Sequence, residues 1–252
     1  MMDKKVISPR LKTPEQIAAI EEVQLATESA MAQVVTYLHS SEAPTSEEAH
    51  KIIDTVLTQA GCESPEGHIV AGGVQSSAPH TKGSGVLKRG EPIVIDIYPR
   101  SKTTGYFADM TRTVCLGTPP AQLQKMYDAV LGAQELAISM VKSGTKCRDI
   151  QEAVEKFFIE AGFLTSGEGD TKEGFPYAEG FVHGVGHGVG LNIHEAPHIR
   201  RKSSDVLMEG DVITIEPGLY YKAIGGVRIE DIVLVTKNGC RNLTDYNKEF
   251  VL

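Results

Sequence analysis

The chain carries one order of secondary-structure signals twice, and a repeat of that kind restricts it to folds built from two equivalent halves. The stretch TPEQIAAIEEVQLATESAMAQVVTYL, opening at Thr13, places Ile17, Ile20, Val23, Met31, Val34 and Leu38 near helical spacing. Thr13, Pro14 and Gln16 match an N-cap, a first-turn proline and a capping-box partner. A second long helical stretch opens at Thr118 and closes at Gly144. Each is followed by a shorter one ending in Ala-Gly, from Thr45 and from Cys147, with Gly61 and Gly162 as C-terminal caps. The strands repeat as well: GEPIVID (Gly90–Asp96) and GDVITIE (Gly210–Glu216) each run from a turn glycine to a carboxylate. A further acid then stands near the start of another β-branched run, Asp109 in FADMTRTVCLG and Glu230 in GVRIEDIVLVTKNG. The reading is an α+β chain forming one domain over residues 1–252, duplicated roughly as 13–117 and 118–252 about a pseudo-two-fold cleft.

Bulk properties exclude several roles. A net charge of −8 argues against general affinity for nucleic acid or anionic membrane. No apolar run approaches the roughly 20 residues of a membrane span. The start, MMDKKVISPR, is polar and lacks the apolar centre of a secretory signal. Cys62, Cys115, Cys147 and Cys240 are scattered without a C-x-x-C pair, as in a protein with reduced thiols. The expectation is a cytoplasmic protein.

Against that ordinary background the acids stand out. Asp96 and Glu216 end apolar strands, and a carboxylate carried into a sheet interior costs several kcal/mol, in order of magnitude, unless something positive neutralises it. Asp96 and Asp109 are 13 residues apart, an odd interval that lets them lie directly opposite each other in a regular hairpin. Glu216 and Glu230 differ by 14, so they need an odd loop or a bulge to meet, and Gly225-Gly226 supplies backbone freedom for one. Two explanations compete. Each acid forms a local ion pair, Asp109 with Arg112 and Glu230 with Arg228, or a pair of divalent cations converts the repulsion into bridging coordination. Oxygen-rich ligation with one imidazole suits Mn²⁺, Fe²⁺, Co²⁺ or Zn²⁺.

Imidazoles are supplied by FVHGVGHGVGLNIHEAP. Its glycines rule out a stable helix, because each costs about 1 kcal/mol relative to alanine. The segment reads as an extended strand, with His183 and His187 on one face roughly 13 Å apart, His194 further on, and glycines that let another backbone or a ligand come close. It does not fit a dinucleotide-binding G-x-G-x-x-G, since no amphipathic helix follows. Three histidines within twelve residues, in a chain that already needs a cation site, favour function over burial in a core.

Asp96 in VIDIYPRS, Asp109 in ADMTRT, His187 in GHGVGL, Glu216 in TIEPGLY and Glu230 in GGVRIED together resemble the pita-bread metallopeptidases: methionine aminopeptidase, aminopeptidase P, prolidase and creatinase. The resemblance runs from about Thr13 to the C-terminus, and HGVGHGVGLNIHEAP, IEPGLY and GGVRIED look like the Xaa-Pro peptidase branch. It implies the pita-bread fold, two pseudo-symmetric α-β halves around a curved, mainly antiparallel sheet. It also implies two divalent metal ions: Asp96 chelating one, Asp109 and Glu230 bridging, and His187 with Glu216 completing the other. The implied activity is an exopeptidase that hydrolyses the N-terminal peptide bond of a peptide substrate, without nucleic-acid or membrane partners. Glu216 would accept the proton of the attacking water and His194 would hydrogen-bond the oxyanion. His80 in SSAPH and His183 would line the leaving-residue side. Arg228 would border the substrate and orient Glu230. Tyr220 is read as a supporting or a packing residue.

Two departures accompany the resemblance. The family-like part begins near Thr13, so the expectation is a catalytic domain without the N-terminal domain of the proline-specific members, which leaves strict dipeptide specificity and a homodimer open. The Asp96–Asp109 interval is two residues longer than the commonest one, which preserves hairpin parity. A methionine aminopeptidase, a creatinase-like C–N hydrolase and a non-catalytic binding protein of the same fold are the alternatives.

Overall fold

The computed structural model describes residues 8–165 and 179–252, so most of the polar start lies outside the described residues. Helix α1 (Pro14–Ser40) begins where the capping box predicts: the Thr13 hydroxyl accepts from Gln16 N, and the Gln16 side chain accepts from Thr13 N. Helix α2 (Ser46–Gln59) is capped by the Thr45 hydroxyl. Short β1 (Cys62–Glu63) follows, then β2 (Ile69–Gly72), a 3₁₀ turn (Gly73–Ser77), β3 (Pro92–Ile97), short β4 (Arg100–Ser101) and β5 (Met110–Cys115). In the second half α3 (Ala121–Met140) starts three residues after Thr118 and stops before Gly144. Pro119-Pro120 hold the entry extended, with Pro120 at ψ 147°, and Val141 leaves the helix extended at ψ 114°. Helix α4 (Cys147–Glu160) comes next, and Gly61 and Gly162, at φ 71° and 84°, reverse the chain after the two short helices. The remaining strands are β6 (Gly186–Gly188), β7 (Glu195–Ile199), β8 (Val212–Ile215), β9 (Gly218–Tyr221), β10 (Gly225–Arg228), β11 (Asp231–Val235) and β12 (Cys240–Asn242).

All strand pairings among these elements are antiparallel. β2-β3-β5 form one sheet, and β6-β8-β11 form the corresponding centre of another that continues to β7 and β12. In β3 the alternation decides the faces: Ile93, Ile95 and Ile97 enter the core beneath α1 and α2, while Asp96 turns the other way. A second core joins α3 and α4 to Ile213, Ile215, Val227, Ile229 and Val233. The two strand systems meet where Glu230 N donates to Thr111 O (3.0 Å), and where the Thr113 hydroxyl donates to Arg228 O (2.8 Å) and accepts from Arg228 N (2.9 Å).

Several expectations change in detail. Asp96 pairs across the ladder with Thr111, not with Asp109. The odd interval does keep Asp109 on Asp96's face: it lies just before β5, two residues ahead of Thr111 and so diagonal to Asp96. Glu216 and Glu230 do stand opposite each other, between the Ile215–Asp231 and Gly218–Arg228 pairs. The hairpin closes on the odd loop Lys222-Ala223-Ile224 between the paired Tyr221 and Gly225. Gly225-Gly226 therefore makes no bulge. A Cβ on Gly226 would lie 2.0 Å from Ser76 O, so the glycine admits the 3₁₀ turn against β10. GVRIEDIVLVTKNG is two strands, broken at Ile229-Glu230 where the chain crosses to β5.

Candidate metal centre

The histidine segment is not one extended strand. Gly186–Gly188 is extended, and the chain becomes extended again only where β7 begins at Glu195, while His183 and His194 sit on irregular backbone. The glycines admit backbone: a Cβ on Gly186 would lie 2.0 Å from Thr214 O, which lets β8 come close enough to set His187 beside Glu216. His187 N donates to the Thr214 hydroxyl (3.1 Å), and Nδ1 lies 3.1 Å from Gly188 O, leaving Nε2 to face the acids. Nε2 is 3.3 Å from Glu216 Oε1 and 3.8 Å from Asp109 Oδ2.

A cavity of about 560 Å³ opens on the face away from the helices. Asp96, Asp109, His187, Glu216, Glu230, His80, His183, His194 and Arg228 all line it. Ligand atoms of Asp109, His187 and Glu230 lie within 4.8 Å of one another. Asp96 is arranged differently. Its Oδ2 accepts from Arg228 at 2.6 Å, while its Oδ1 is buried with no hydrogen-bond partner among the described residues. A buried carboxylate oxygen left unpaired is costly, and a cation is the partner that the surrounding oxygens and imidazole suit.

The local ion pairs considered for Asp109 and Glu230 do not form. Arg112 is buried and pairs with Asp231 at 2.8 Å, while donating to Glu230 O and Thr111 O. Arg228 takes Asp96 directly and reaches Glu230 only through Thr111: Nε donates to the Thr111 hydroxyl (3.2 Å), which donates to Glu230 Oε2 (2.6 Å). Its Nη1 donates to the Tyr220 hydroxyl (2.7 Å) and to Pro79 O (3.4 Å). Tyr220 in turn bonds His183 Nε2 at 2.9 Å, and His183 Nδ1 lies 2.8 Å from Gly184 O. Both ring nitrogens of His183 are thus engaged, and Tyr220 is part of the polar network as well as packed. Thr111 and Thr214 were missed in the sequence. Each lies two residues from a singled-out acid, Asp109 or Glu216, and the two-residue period of a strand would have placed them on the same face.

Electrostatics follow from burial and crowding. Burial first, then the charges of neighbouring acids, push Asp109 and Glu230 well above the usual carboxyl range, and burial also raises Asp96. Burial works against the Glu216 anion too, but the His187 hydrogen bond and charge outweigh it and hold the carboxyl at about 2. Burial likewise opposes a charged His187, and Glu216 raises it nonetheless. His194 is exposed on the cavity wall, and desolvation by its surroundings, then the charge of His187 4.4 Å away ring to ring, hold it down at about 4.

The profile of metallopeptidase family M24 matches residues 18–237. The chain belongs to metallopeptidase family M24. Among the relatives, the Xaa-Pro dipeptidase of Pyrococcus furiosus is 34% identical over 244 residues, which are 96% of this chain and 65% of that protein. The Xaa-Pro dipeptidase of Pyrococcus horikoshii is 34% identical over 96% of this chain and 64% of its own length. The M24 chain thus spans less than two thirds of the length of these relatives. Solved structures show the same pita-bread fold. The prolidase from Pyrococcus furiosus superposes with a TM-score of 0.83 at 34% identity, over 94% of this chain and 66% of that one. The X-Pro aminopeptidase from Thermotoga maritima gives 0.83 at 31%, over 96% of this chain and 65% of that one.

Proposed function

We propose that this M24 chain is a metal-dependent exopeptidase that hydrolyses the N-terminal peptide bond of Xaa-Pro peptides. The observation that carries the reading is the convergence of two acid-bearing hairpins and His187 on one cavity. Relatives named Xaa-Pro dipeptidase support the substrate class. Asp96, Asp109, His187, Glu216 and Glu230 are the residues that would hold two divalent cations, Mn²⁺, Co²⁺, Fe²⁺ or Zn²⁺. Such cations supply Lewis acidity, lowering the pKa of water and polarising the scissile carbonyl.

The chain's own groups do the rest. Glu216, anionic at neutral pH, accepts a proton from the attacking water at a carboxylate oxygen and passes it to the leaving imino nitrogen. His194 is neutral at that pH, so a ring N–H is available to the developing oxyanion. His80 contacts the leaving residue. His183 borders the same side with its nitrogens spent, so its hydrogen bonds act on Arg228 through Tyr220. Arg228 borders the substrate and fixes the Asp96 rotamer through its own hydrogen bond.

Among the described residues no helix is long and apolar enough to cross a membrane. All four cysteines are free thiols, which favours a cytoplasmic setting.

The test is turnover of a panel of Xaa-Pro and Met-Ala peptides by Mn²⁺- or Co²⁺-reconstituted protein. The Xaa-Pro peptides are expected to be cleaved, with at least a hundredfold loss in Asp109→Asn. Equal turnover in that variant, or preference for Met-Ala, overturns the proposal.

A further inference from the structure

A strap at the N-terminal end of the described chain, residues 8–12, lies outside the cavity yet is tied to the turn that carries His194. Lys12 is buried, and its ammonium donates to Glu195 Oε1 (2.6 Å), Pro9 O (2.7 Å) and Arg10 O (3.0 Å). The Ser8 hydroxyl donates to the same carboxylate oxygen (3.0 Å) and accepts from Leu191 N (3.3 Å). The other oxygen of Glu195 accepts from Asn192 N (3.3 Å) and Nδ2 (3.4 Å). The turn is therefore wrapped around one carboxylate, whose charge partner comes from the strap, 183 positions away. Gly190 has no room for a side chain there, since a Cβ would lie 2.4 Å from Glu195 Oε1.

What that carboxylate holds is the histidine wall. Glu195 follows His194 directly and pairs with Gly188, the residue after His187, where the β6–β7 register shifts. A second anchor acts on the same wall: Arg10 donates to both oxygens of buried Asp211 at 2.7 Å, and Asp211 leads into β8, the strand that ends just before Glu216. Turning the His194 backbone away would leave the Lys12 ammonium buried without its counterion.

We infer that Lys12 is a positioning residue for the hydrolytic site: through Glu195 it holds the 190–195 turn so that the His194 imidazole stays in the cavity. This rests on the peptidase reading for its kinetic consequence, but not for its structural one. The experiment is Lys12→Met in the full metal-loaded chain, followed by hydrogen exchange and by kinetics on an Xaa-Pro dipeptide. Amides of 189–195 are expected to exchange at least tenfold faster, with β3 unchanged. The kcat is expected to fall at least tenfold while KM and bound metal stay within twofold, and Lys12→Arg should recover most of the loss. Should Lys12→Met fail to fold, Glu195→Gln, which keeps size and an acceptor, carries the same two readouts. Unchanged exchange in the turn, protection lost evenly across β3 and β8, or a fall in kcat matched by lost metal overturns the inference. A wild-type chain without peptidase turnover counts against the peptidase reading alone, and the exchange result then decides the tether.

Discussion

Asp96 has one oxygen committed to Arg228, and the other has no hydrogen-bond partner among the described residues. Removing the guanidinium with Arg228→Met leaves a buried carboxylate with no counterion, a loss of about 3–5 kcal/mol expected in urea denaturation of the cation-free protein. A loss below about 1 kcal/mol would mean that Arg228 merely packs. The other acids predict a pH slope. Asp96, Asp109 and Glu230 have raised values in the fold, and so does His187, so the folded chain holds protons that the unfolded chain releases. For the three acids, the stability this contributes is complete below about pH 4, the ordinary carboxyl range, and is lost as pH rises through their folded values. His187 acts in the same direction from its ordinary value upward. Glu216 has the opposite sign, with a contribution lost only as pH falls toward about 2, outside that window. His68 and His194, held down at about 4, and His50 and His183, lowered too, oppose this up to the ordinary imidazole value of about 6.5. Melting temperatures of chelator-treated protein should therefore decline above about pH 6.5, and saturating Mn²⁺ should abolish the decline. A curve that rises there without metal would contradict the crowding of these acids.

The elements themselves were largely legible. Local signals fixed α1 at its capping box and the strands by their β-branched runs, because those signals act within a few residues. Expectation and structure part company at Asp96–Thr111, at the split of β10 from β11, and in the three-residue length of β6. Each of these depends on which backbone comes alongside. Gly226→Ala tests this at the scale of the element: the Cβ would press on Ser76 O, and relieving it means moving the 3₁₀ turn off β10. A destabilisation of about 1–3 kcal/mol is expected by chemical denaturation, along with a weaker Arg228–Asp96 bond, since Arg228 ends that strand. Thr111→Val keeps the shape of β5 and removes the hydroxyl that links Glu230 to Arg228, for about 1–3 kcal/mol.

For the molecule as a whole, the two halves are held together at a site where like charges repel, so cation binding and folding must be coupled. Mn²⁺ added to stripped protein should release protons, seen as a dependence of the calorimetric heat on buffer ionisation enthalpy. It should also stabilise the fold by about 2.7 kcal/mol at one hundred times the dissociation constant. Absence of proton release would mean that the acids are already ionised without metal. The sequence by itself determined the duplicated order of elements, the acids that end apolar strands and the clustering of histidines, since periodicity, capping and the cost of burying charge are local or compositional. The tertiary structure alone decided that Arg228 faces Asp96, that Arg112 belongs to Asp231, that Thr111 links two halves and that Lys12 meets Glu195. Those pairings join positions a hundred or more residues apart, and only closure of the fold chooses among partners of equal chemistry.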